Sequence, residues 1–216
     1  MNSSCQLVIH EPMPEMRSGI ENMERDEQLL EQSLVDQSAH LRFYQWSEPT
    51  VSLGYFQKPE STELPTACQE LALVRRLTGG GALVHHHELT YGLTIPKGHP
   101  VTADPTQLYV IVHQALISAL SQQQIEVGFR EQAQPERDHA MLCFLRGDPR
   151  DVLCGEHKVI GSAQRRRKGA ILQHGSLLLR RSVYAPELPG VEELSSRTVD
   201  LSQLMEEVVR QLKCEI

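Results

Sequence analysis

The sequence predicts an α+β fold in which helices cover a largely antiparallel β-sheet. Long segments with apolar residues at three- and four-residue spacing predict helices, whereas short apolar runs between Gly, Pro and charged residues predict strands. Helices and strands do not alternate regularly, so a parallel sheet of repeated β-α-β units is not expected. The 216 residues, 40% of them hydrophobic, suffice for one domain with a buried core, and we find no repeat or linker that divides them.

The first half of the chain predicts one helix and a series of short strands. Between residues 19 and 35, Ile20, Met23, Leu29, Leu30 and Leu34 recur at helical spacing among charged residues, which is typical of an amphipathic helix. The other apolar runs are short and bounded by turn residues. They predict strands at residues 6–10, 41–46, 51–56, 71–76, 82–86 and 89–95.

The clearest helix of the second half covers residues 105–123. Its apolar residues fall three and four positions apart, and Pro105 suits the first turn, where a backbone N–H has no partner in the helix. A final amphipathic helix is predicted at residues 201–212. Short apolar runs separated by Gly and charged turns predict strands at residues 140–144, 152–154, 159–160 and 170–179.

The composition favours a cytoplasmic protein that binds neither nucleic acid nor membranes. The formal net charge is −7 and the pI is about 5.8, which argues against nonspecific binding to polyanions. No apolar run approaches the roughly 18 residues of a membrane span, and residues 1–15 lack the basic and apolar regions of a signal peptide. The basic run Arg165-Arg166-Arg167-Lys168 is either a solvated hairpin turn or a local contact site for an acidic partner.

The cysteines and histidines indicate neither a disulfide framework nor a metal site. The five cysteines are scattered without a Cys-x-x-Cys pair, so reduced thiols are expected. In the run His85-His86-His87, consecutive side chains of a strand would point to opposite faces, and no carboxylate has a matching spacing. We therefore expect no bound metal.

A glycine-rich segment carries most of the functional information. Residues 73–95 read Leu-Val-Arg-Arg-Leu-Thr-Gly-Gly-Gly-Ala-Leu-Val-His-His-His-Glu-Leu-Thr-Tyr-Gly-Leu-Thr-Ile. Three consecutive glycines let the backbone approach a ligand closely and adopt φ values closed to other residues. The segment has neither the Gly-Lys-Ser/Thr ending of a P-loop nor the Gly-x-Gly-x-x-Gly spacing of a dinucleotide site. From spacing alone, a ligand-binding loop and a simple turn between two strands remain alternatives.

Ordered motifs along the chain resemble those of the biotin/lipoate protein ligase superfamily. They are Trp46-Ser-Glu-Pro-Thr-Val-Ser-Leu-Gly-Tyr-Phe-Gln57, Arg75-Arg76-x-Thr-Gly-Gly-Gly-Ala, and Lys158-Val-Ile-Gly-Ser-Ala-Gln164 with Leu172-Gln-His-Gly-Ser-Leu-Leu178. The similarity covers residues 22–179, and Glu88-Leu-Thr-Tyr resembles the lipoate rather than the biotin branch. The resemblance implies a single catalytic domain over residues 1–216, with a C-terminal helix at about 200–213 and no accessory C-terminal domain.

The resemblance also implies that an acyl group is delivered to a protein lysine, by one of two chemistries. ATP-dependent ligases activate a free acid as an acyl-adenylate, whereas octanoyltransferases take octanoate from a carrier-protein thioester through a cysteine. Cys143 lies 15 residues before Lys158, a spacing similar to that of the cysteine-dependent octanoyltransferases. A thiolate nucleophile needs a nearby cation to lower its pKa from about 8.5, and Lys158 can supply one. We therefore expect the two side chains to lie side by side, joined by a hairpin-like connection.

The octanoyltransferase interpretation implies octanoyl-acyl carrier protein as the donor. The implied acceptor is a lipoyl-type domain, either the glycine cleavage H protein or the E2 subunit of a 2-oxoacid dehydrogenase. No cofactor is required, because exchange between thioesters is nearly neutral in energy. Two alternatives remain open: an ATP-dependent lipoate-protein ligase, which needs ATP and Mg, and a non-catalytic scaffold that binds lipoyl domains.

The candidate site residues follow from these motifs. Cys143 and Lys158 are the candidate catalytic residues, and backbone N–H groups near residues 79–81 or 161–163 are candidates for stabilising a tetrahedral oxyanion. Burial of an octanoyl tail requires an apolar slot, with Leu77 as one candidate wall. Arg76 matches the nucleotide-contacting arginine of the ligases. The candidate substrate-binding residues are Arg76, Gly79, Gly80, Gly81, Ala82, Leu83, Val84, His85, Gly161, Ser162, Ala163 and His174.

Overall fold

The structure, a computed structural model, describes residues 5–130 and 147–216. In these residues the strands are β1 (Leu7–Arg17), β2 (Ala39–Trp46), β3 (Thr50–Leu53), β4 (Ala72–Arg75), β5 (Leu83–His85), β6 (Glu88–Ile95), β7 (Gly128–Phe129), β8 (Val152–Cys154), β9 (His157–Arg167) and β10 (Ala170–Leu178). The α-helices are α1 (Gly19–Asp36), α2 (Thr106–Gln122), α3 (Val191–Ser195) and α4 (Leu201–Glu215). The α+β class expected from the sequence is confirmed.

Two sheets organise these elements. The larger sheet has the strand order β1-β2-β6-β10-β9-β8-β7. Its neighbouring strands are antiparallel except for β1 and β2, which run parallel. The smaller sheet has the order β4-β3-β5, in which β3 is parallel to β4 and antiparallel to β5. The expected largely antiparallel sheet is therefore present, with a second small sheet beside it.

Helix α1 begins at a capping box and contacts both sheets. The Ser18 hydroxyl accepts a hydrogen bond from the Glu21 N–H, and the Glu21 carboxylate accepts one from the Ser18 N–H, so two free donors of the first turn are satisfied. The helix contacts β2, β6 and β10 of the larger sheet and β4 of the smaller one. Its buried face includes the polar residues Asn22 and Asp26. Helix α1 therefore buries polar as well as apolar side chains against the sheets.

The main core lies on the other face of the larger sheet, under α2 and α4. These two helices pack against each other and against the sheet in one apolar cluster. Because alternate residues of a strand point to opposite faces, β2 directs Leu41 and Phe43 into this cluster and Arg42 and Tyr44 towards α1. The sheet thus separates an apolar core on one face from a polar, α1-facing surface on the other.

Three strand predictions differ substantially in extent from the structure, and the first of them, at residues 6–10, continues to Arg17. The strand predicted at residues 51–56 ends at Leu53, because Gly54 and Gln57 form a turn through two hydrogen bonds. The strand predicted at residues 159–160 extends over His157–Arg167, so most of the basic run belongs to β9. The β9–β10 turn is formed by Lys168 and Gly169, both at positive φ. The strand predicted at residues 140–144 lies outside the described residues.

The three predicted long helices are confirmed. Residues 19–35 lie in α1, residues 201–212 lie in α4, and most of 105–123 lies in α2. In the described ranges, none of the helices combines the length and the apolar character needed to cross a membrane.

Candidate active site

A narrow cleft lies between α1, the smaller sheet and the β9–β10 hairpin. It contains about 420 Å³ of empty space, part of which is open to solvent. Eight residues selected from the sequence line it: Arg76, Leu83, His85, Lys158, Gly161, Ser162, Ala163 and His174. The other lining residues, which the sequence analysis did not select, are Met23, Tyr44, Trp46, Thr90, Gly175 and Ser176.

The glycine run lies beside the cleft and packs against the end of β3. Gly79, Gly80 and Gly81 do not belong to the described lining, and Gly80 has a positive φ of 95°. Ala82 and Val84 pack into an apolar cluster with residues of β3, whereas Leu83 and His85 face the cleft. This division follows from the alternation of side chains along β5. Leu77 packs near Leu30 and Leu172, away from the described lining.

Arg76 connects the glycine loop to β3. Its Nη1 donates to the Ser52 carbonyl oxygen at 2.7 Å and to Ser52 Oγ at 2.6 Å. Its Nη2 donates to the carbonyl oxygens of Gly79 and Gly81 at 3.1 and 2.7 Å. The guanidinium is 2% exposed, so these charge-assisted bonds form in a buried environment. Arg76 therefore holds the glycine loop in place through protein acceptors.

His85 is fixed on three sides. Its Nδ1 lies 2.7 Å from Glu88 Oε1, its Nε2 lies 2.6 Å from Ser52 Oγ, and its ring stacks on Trp46 at a centroid distance of 3.8 Å. Burial alone raises the pKa of Glu88, but the charge of His85 and hydrogen bonds from His85, Thr90 and Ser176 outweigh burial and lower it. Glu88 is thus an ionised acceptor that orients the imidazole in the cleft.

His174 reaches the cleft from β10 and is held by α1. Its Nδ1 lies 3.1 Å from Asp26 Oδ2, and its Nε2 lies 2.5 Å from Thr78 Oγ1. Burial lowers the pKa of His174 despite the opposing effect of Asp26, so the ring is neutral at neutral pH. Nδ1–H then donates to Asp26, and the Thr78 hydroxyl donates to Nε2. Asp26 also accepts from Tyr44 Oη at 3.0 Å and from Arg42 Nη1 at 3.3 Å.

Ser162 is committed to a hydrogen-bond chain that leads away from the cleft. Its Oγ lies 2.6 Å from His113 Nε2 and 2.7 Å from Tyr91 Oη. Burial lowers the pKa of His113 to about 4, so its Nδ1–H donates to the Arg150 carbonyl oxygen and its Nε2 accepts from Ser162. Gln173 donates to Tyr91 Oη in turn. The Ser162 hydroxyl proton therefore points to His113.

Lys158 lies at the edge of the cleft with its ammonium group buried. Its Nζ is 2.8 Å from Asp151 Oδ1, and both side chains are 7% exposed. Cys143 lies outside the described residues, so its pairing with Lys158 stays a prediction. A hairpin at Gly155 joins β8 to β9, and Asp148 and Asp151 form a second turn before β8, but the expected connection from Cys143 begins outside the described residues.

A second cleft lies on the far side of Trp46. Its lining includes Trp46, His86, His87 and Arg180. The rings of His86 and His87 stack with a centroid distance of 3.6 Å, and burial lowers the pKa of both. Within residues 5–130 and 147–216, no group of three or more His, Cys, Asp or Glu side chains is arranged to hold a metal ion.

The sequence as a whole matches one family model. The lipoyl protein ligase A/B catalytic domain matches residues 18–212, which is most of the chain. The chain belongs to this family. The expected membership of the lipoate branch is therefore confirmed.

Relatives in this family include proteins named octanoyltransferase LipM. The relative from Carboxydothermus hydrogenoformans is 37% identical over 170 residues, which cover 77% of this chain and 63% of the relative. The relative from Moorella thermoacetica is 34% identical over 196 residues, covering 79% of this chain and 72% of the relative. The chain thus spans less than two thirds of the length of the first of these relatives and more than two thirds of the second.

Solved structures of lipoate protein ligases share the fold. One from T. acidophilum with bound lipoic acid has a TM-score of 0.72 at 21% identity, covering 98% of this chain and 86% of that chain. A lipoate-protein ligase A bound with ATP has a TM-score of 0.69 at 22% identity, with the same coverage. These similarities place the cleft in the catalytic-domain fold of the lipoate protein ligases.

Proposed function

We propose that this protein transfers an octanoyl group from octanoyl-acyl carrier protein, through a thioester on Cys143, to a lysine of a lipoyl-type domain. The observation that carries the proposal is Lys158, a buried cation at the edge of a narrow cleft in a chain whose relatives include octanoyltransferases. A cationic neighbour stabilises a thiolate, and a narrow cleft with apolar walls suits an eight-carbon chain.

The first half-reaction forms the acyl-enzyme. The Cys143 thiolate attacks the thioester carbonyl carbon, a new carbon–sulfur bond forms, and the bond to the carrier sulfur breaks. The Lys158 ammonium donates a proton to the departing carrier thiolate, which leaves as a thiol. Lys158 is then neutral, and the octanoyl group is bound to Cys143.

The second half-reaction forms the amide. The neutral amine of the acceptor lysine attacks the acyl-enzyme carbonyl, a carbon–nitrogen bond forms, and the bond to Cys143 sulfur breaks. The amine loses a proton to Lys158, which restores the ammonium and the Cys143 thiolate for the next cycle. Backbone N–H groups of Gly161 and Ala163, which border the cleft, are candidates for stabilising the oxyanion of both steps.

The ATP-dependent ligase is the second candidate, because structures of lipoate protein ligases share the fold. Arg76 is the residue expected to contact a nucleotide. Both of its terminal nitrogens instead donate to Ser52 and to the carbonyls of the glycine loop. That arrangement does not offer the guanidinium to a phosphate, which favours the cofactor-independent transferase.

The deciding experiment supplies purified protein with octanoyl-acyl carrier protein and a lipoyl-type domain, with and without ATP. We expect transfer without ATP and an octanoyl adduct on the intact protein that hydroxylamine removes. Cys143→Ala should abolish both, whereas Cys154→Ala, which changes a buried cysteine of β8, should retain them. Wild-type transfer by Cys143→Ala contradicts the thioester mechanism.

The same reactions separate the alternatives. Activity that requires free octanoate or lipoate together with ATP, and releases pyrophosphate, identifies the ligase. Binding of the lipoyl-type domain without any acylation, whatever the donor, identifies a non-catalytic scaffold. The acceptor proposal takes support from a structural relative whose ligase was described together with its E2 lipoyl domain from Thermoplasma acidophilum.

A further inference from the structure

Asp151 makes the close ionic contact of Lys158, and its carboxylate is held on both oxygens. Oδ1 lies 2.8 Å from Lys158 Nζ, and Oδ2 accepts a hydrogen bond from the Asp148 N–H at 2.8 Å. The Asp151 backbone is fixed as well, since its N–H donates to the Asp148 carbonyl and its carbonyl accepts from the Arg130 N–H. The carboxylate therefore has one orientation, set by backbone hydrogen bonds.

The strand that carries Lys158 is irregular at this position. Val152 of β8 pairs with Ile160, but the next residue, Leu153, pairs with Lys158, so β9 contains one extra residue here. In a regular strand Lys158 would share a face with Ile160, which packs in the main core. The bulge interrupts this alternation, and Lys158 lines the same cleft as Gly161 and Ala163.

We propose that Asp151 is a positioning residue that holds the Lys158 ammonium at the edge of the cleft and keeps it protonated between catalytic cycles. The inference rests on the proposed function for its catalytic meaning, but the ion pair itself can be tested without activity. A carboxylate at this distance favours the charged form of an amine, whereas burial of the amine favours the neutral form.

Other residues of the described ranges also carry titratable or charged groups near the pair. Asp148 uses both carboxylate oxygens on Arg150, at 2.7 and 2.6 Å. Arg130 Nε lies 3.9 Å from Asp151 Oδ2, whereas Lys158 contacts the other carboxylate oxygen, Oδ1. His113 is neutral above its pKa of about 4 and so adds no charge at neutral pH. Removing the Asp151 charge therefore takes away the carboxylate 2.8 Å from Lys158 Nζ and leaves the positive charges of Arg130 and Arg150 in place.

The first test observes Lys158 directly. Protein labelled with ¹³C at the lysine ε-carbon contains five lysines, and Lys158→Met assigns the Lys158 signal. We expect the pH midpoint of that signal to fall by about one unit or more in Asp151→Asn, and to fall less in Asp148→Asn, whose carboxylate is paired with Arg150. An unmoved midpoint in folded Asp151→Asn overturns the inference, whatever the activity of the protein.

The second test measures the titration of Asp151 itself, so it does not need the Asp151→Asn variant to fold. Burial raises the pKa of Asp151, and Lys158 opposes that effect. In protein labelled at the aspartate carboxyl carbon, Lys158→Met should therefore move the Asp151 titration to still higher pH. Identical Asp151 titrations in wild type and Lys158→Met overturn the inference.

The kinetic test connects the pair to transfer. Asp151→Asn should lower kcat about tenfold and move the alkaline limb of the pH profile to lower pH, with KM for the carrier protein within about twofold of wild type. Asp151→Glu, which keeps the charge, should restore part of kcat, and Asp148→Asn should move the profile less than Asp151→Asn does. A merely structural role for Asp151 would lower the midpoint of thermal unfolding without moving the pH profile, and that result also contradicts the proposal.

Discussion

Gly54 and Gly80 approach so closely that a Cβ atom on Gly54 would lie 2.0 Å from the Gly80 carbonyl oxygen. The contact joins the end of β3 to the glycine loop, two segments that the sequence presents as separate motifs. The Tyr55 N–H also donates to the Thr78 carbonyl, which adds a second link between the same segments. The two motifs therefore form one structural unit beside the cleft.

Gly54→Ala should destabilise the protein, because the new Cβ meets backbone that cannot rotate away. Overpacking of this kind costs about 1–3 kcal/mol of unfolding free energy, measurable by urea denaturation. Gly79→Ala is the matched control, since a Cβ at Gly79 has no atom within 4 Å. Equal unfolding free energies for the two variants would show that the glycine loop can move away from the new Cβ without loss of stability.

Asp26→Asn should lower the unfolding free energy strongly. Asp26 is 1% exposed and accepts hydrogen bonds from Tyr44 and the fully buried Arg42, so loss of its charge leaves Arg42 with only the more distant Glu11 carboxylate, 3.9 Å from its Nε, among the described ion pairs. Breaking a buried ion pair by removing one partner costs about 3–5 kcal/mol. Glu27→Gln, on the exposed side of the same helix, should cost less than about 1 kcal/mol. Similar urea midpoints for both variants contradict this assignment.

His113 should contribute to acid sensitivity. Its pKa falls from 6.5 to about 4 on folding, so its stabilising contribution is complete above pH 6.5 and is lost as the pH falls towards 4. Between pH 7 and pH 5 this loss amounts to roughly 2 kcal/mol. His113→Gln keeps a hydrogen-bond donor and an acceptor but does not titrate. Between pH 7 and pH 5, its unfolding free energy should therefore fall by roughly 2 kcal/mol less than that of the wild type. Parallel pH dependences of wild type and variant argue against a neutral His113.

Lys158→Met should raise the pH at which iodoacetamide labels Cys143 and should lower transfer sharply. The substitution keeps the apolar stem and removes the cation that favours the thiolate. Mass spectrometry of peptides separates Cys143 from the free thiols of Cys5, Cys68, Cys154 and Cys214. Lys213→Met, at an exposed position of α4, is the control. An unchanged labelling profile for Cys143 means that the two residues do not act together.

The exposed part of the basic run should assist association with acidic partners. Arg167 contacts Glu27 and Glu31, whereas Arg166 and Lys168 are exposed at the β9–β10 turn. Reversal of both exposed charges to Glu should lower kcat/KM about tenfold and flatten its salt dependence. Reversal of Arg197 and Lys213, which changes the net charge equally at other exposed positions, is the control. Equal rates and salt slopes for these two double variants would indicate that the basic run is a solvated turn.

The long helices were predictable because apolar periodicity reports burial directly. The extent of β9 was not, because Gln164 and the arginines after it, which pair with β10, carry no strand-like alternation. The turn at Gly54 was also missed, since its hydrogen bonds come from Gln57, whose sequence position gives no such signal.

The lining of the cleft was predictable where residues fall in contiguous motifs, and the groups that hold it were not. Charged residues are expected at the surface, so nothing in the sequence marked Asp26, Glu88 or Asp151 as buried partners of the cleft. Asp26 and His174 are 148 residues apart, and the fold alone brings them together.

Trp46 lines both clefts, and its indole is held by the Thr90 hydroxyl on one edge and by the His85 ring on one face. One side chain is thus the partition between two compartments. A smaller residue at this position would remove a wall that both compartments share. A change in ligand binding after substitution of Trp46 would therefore reflect both compartments.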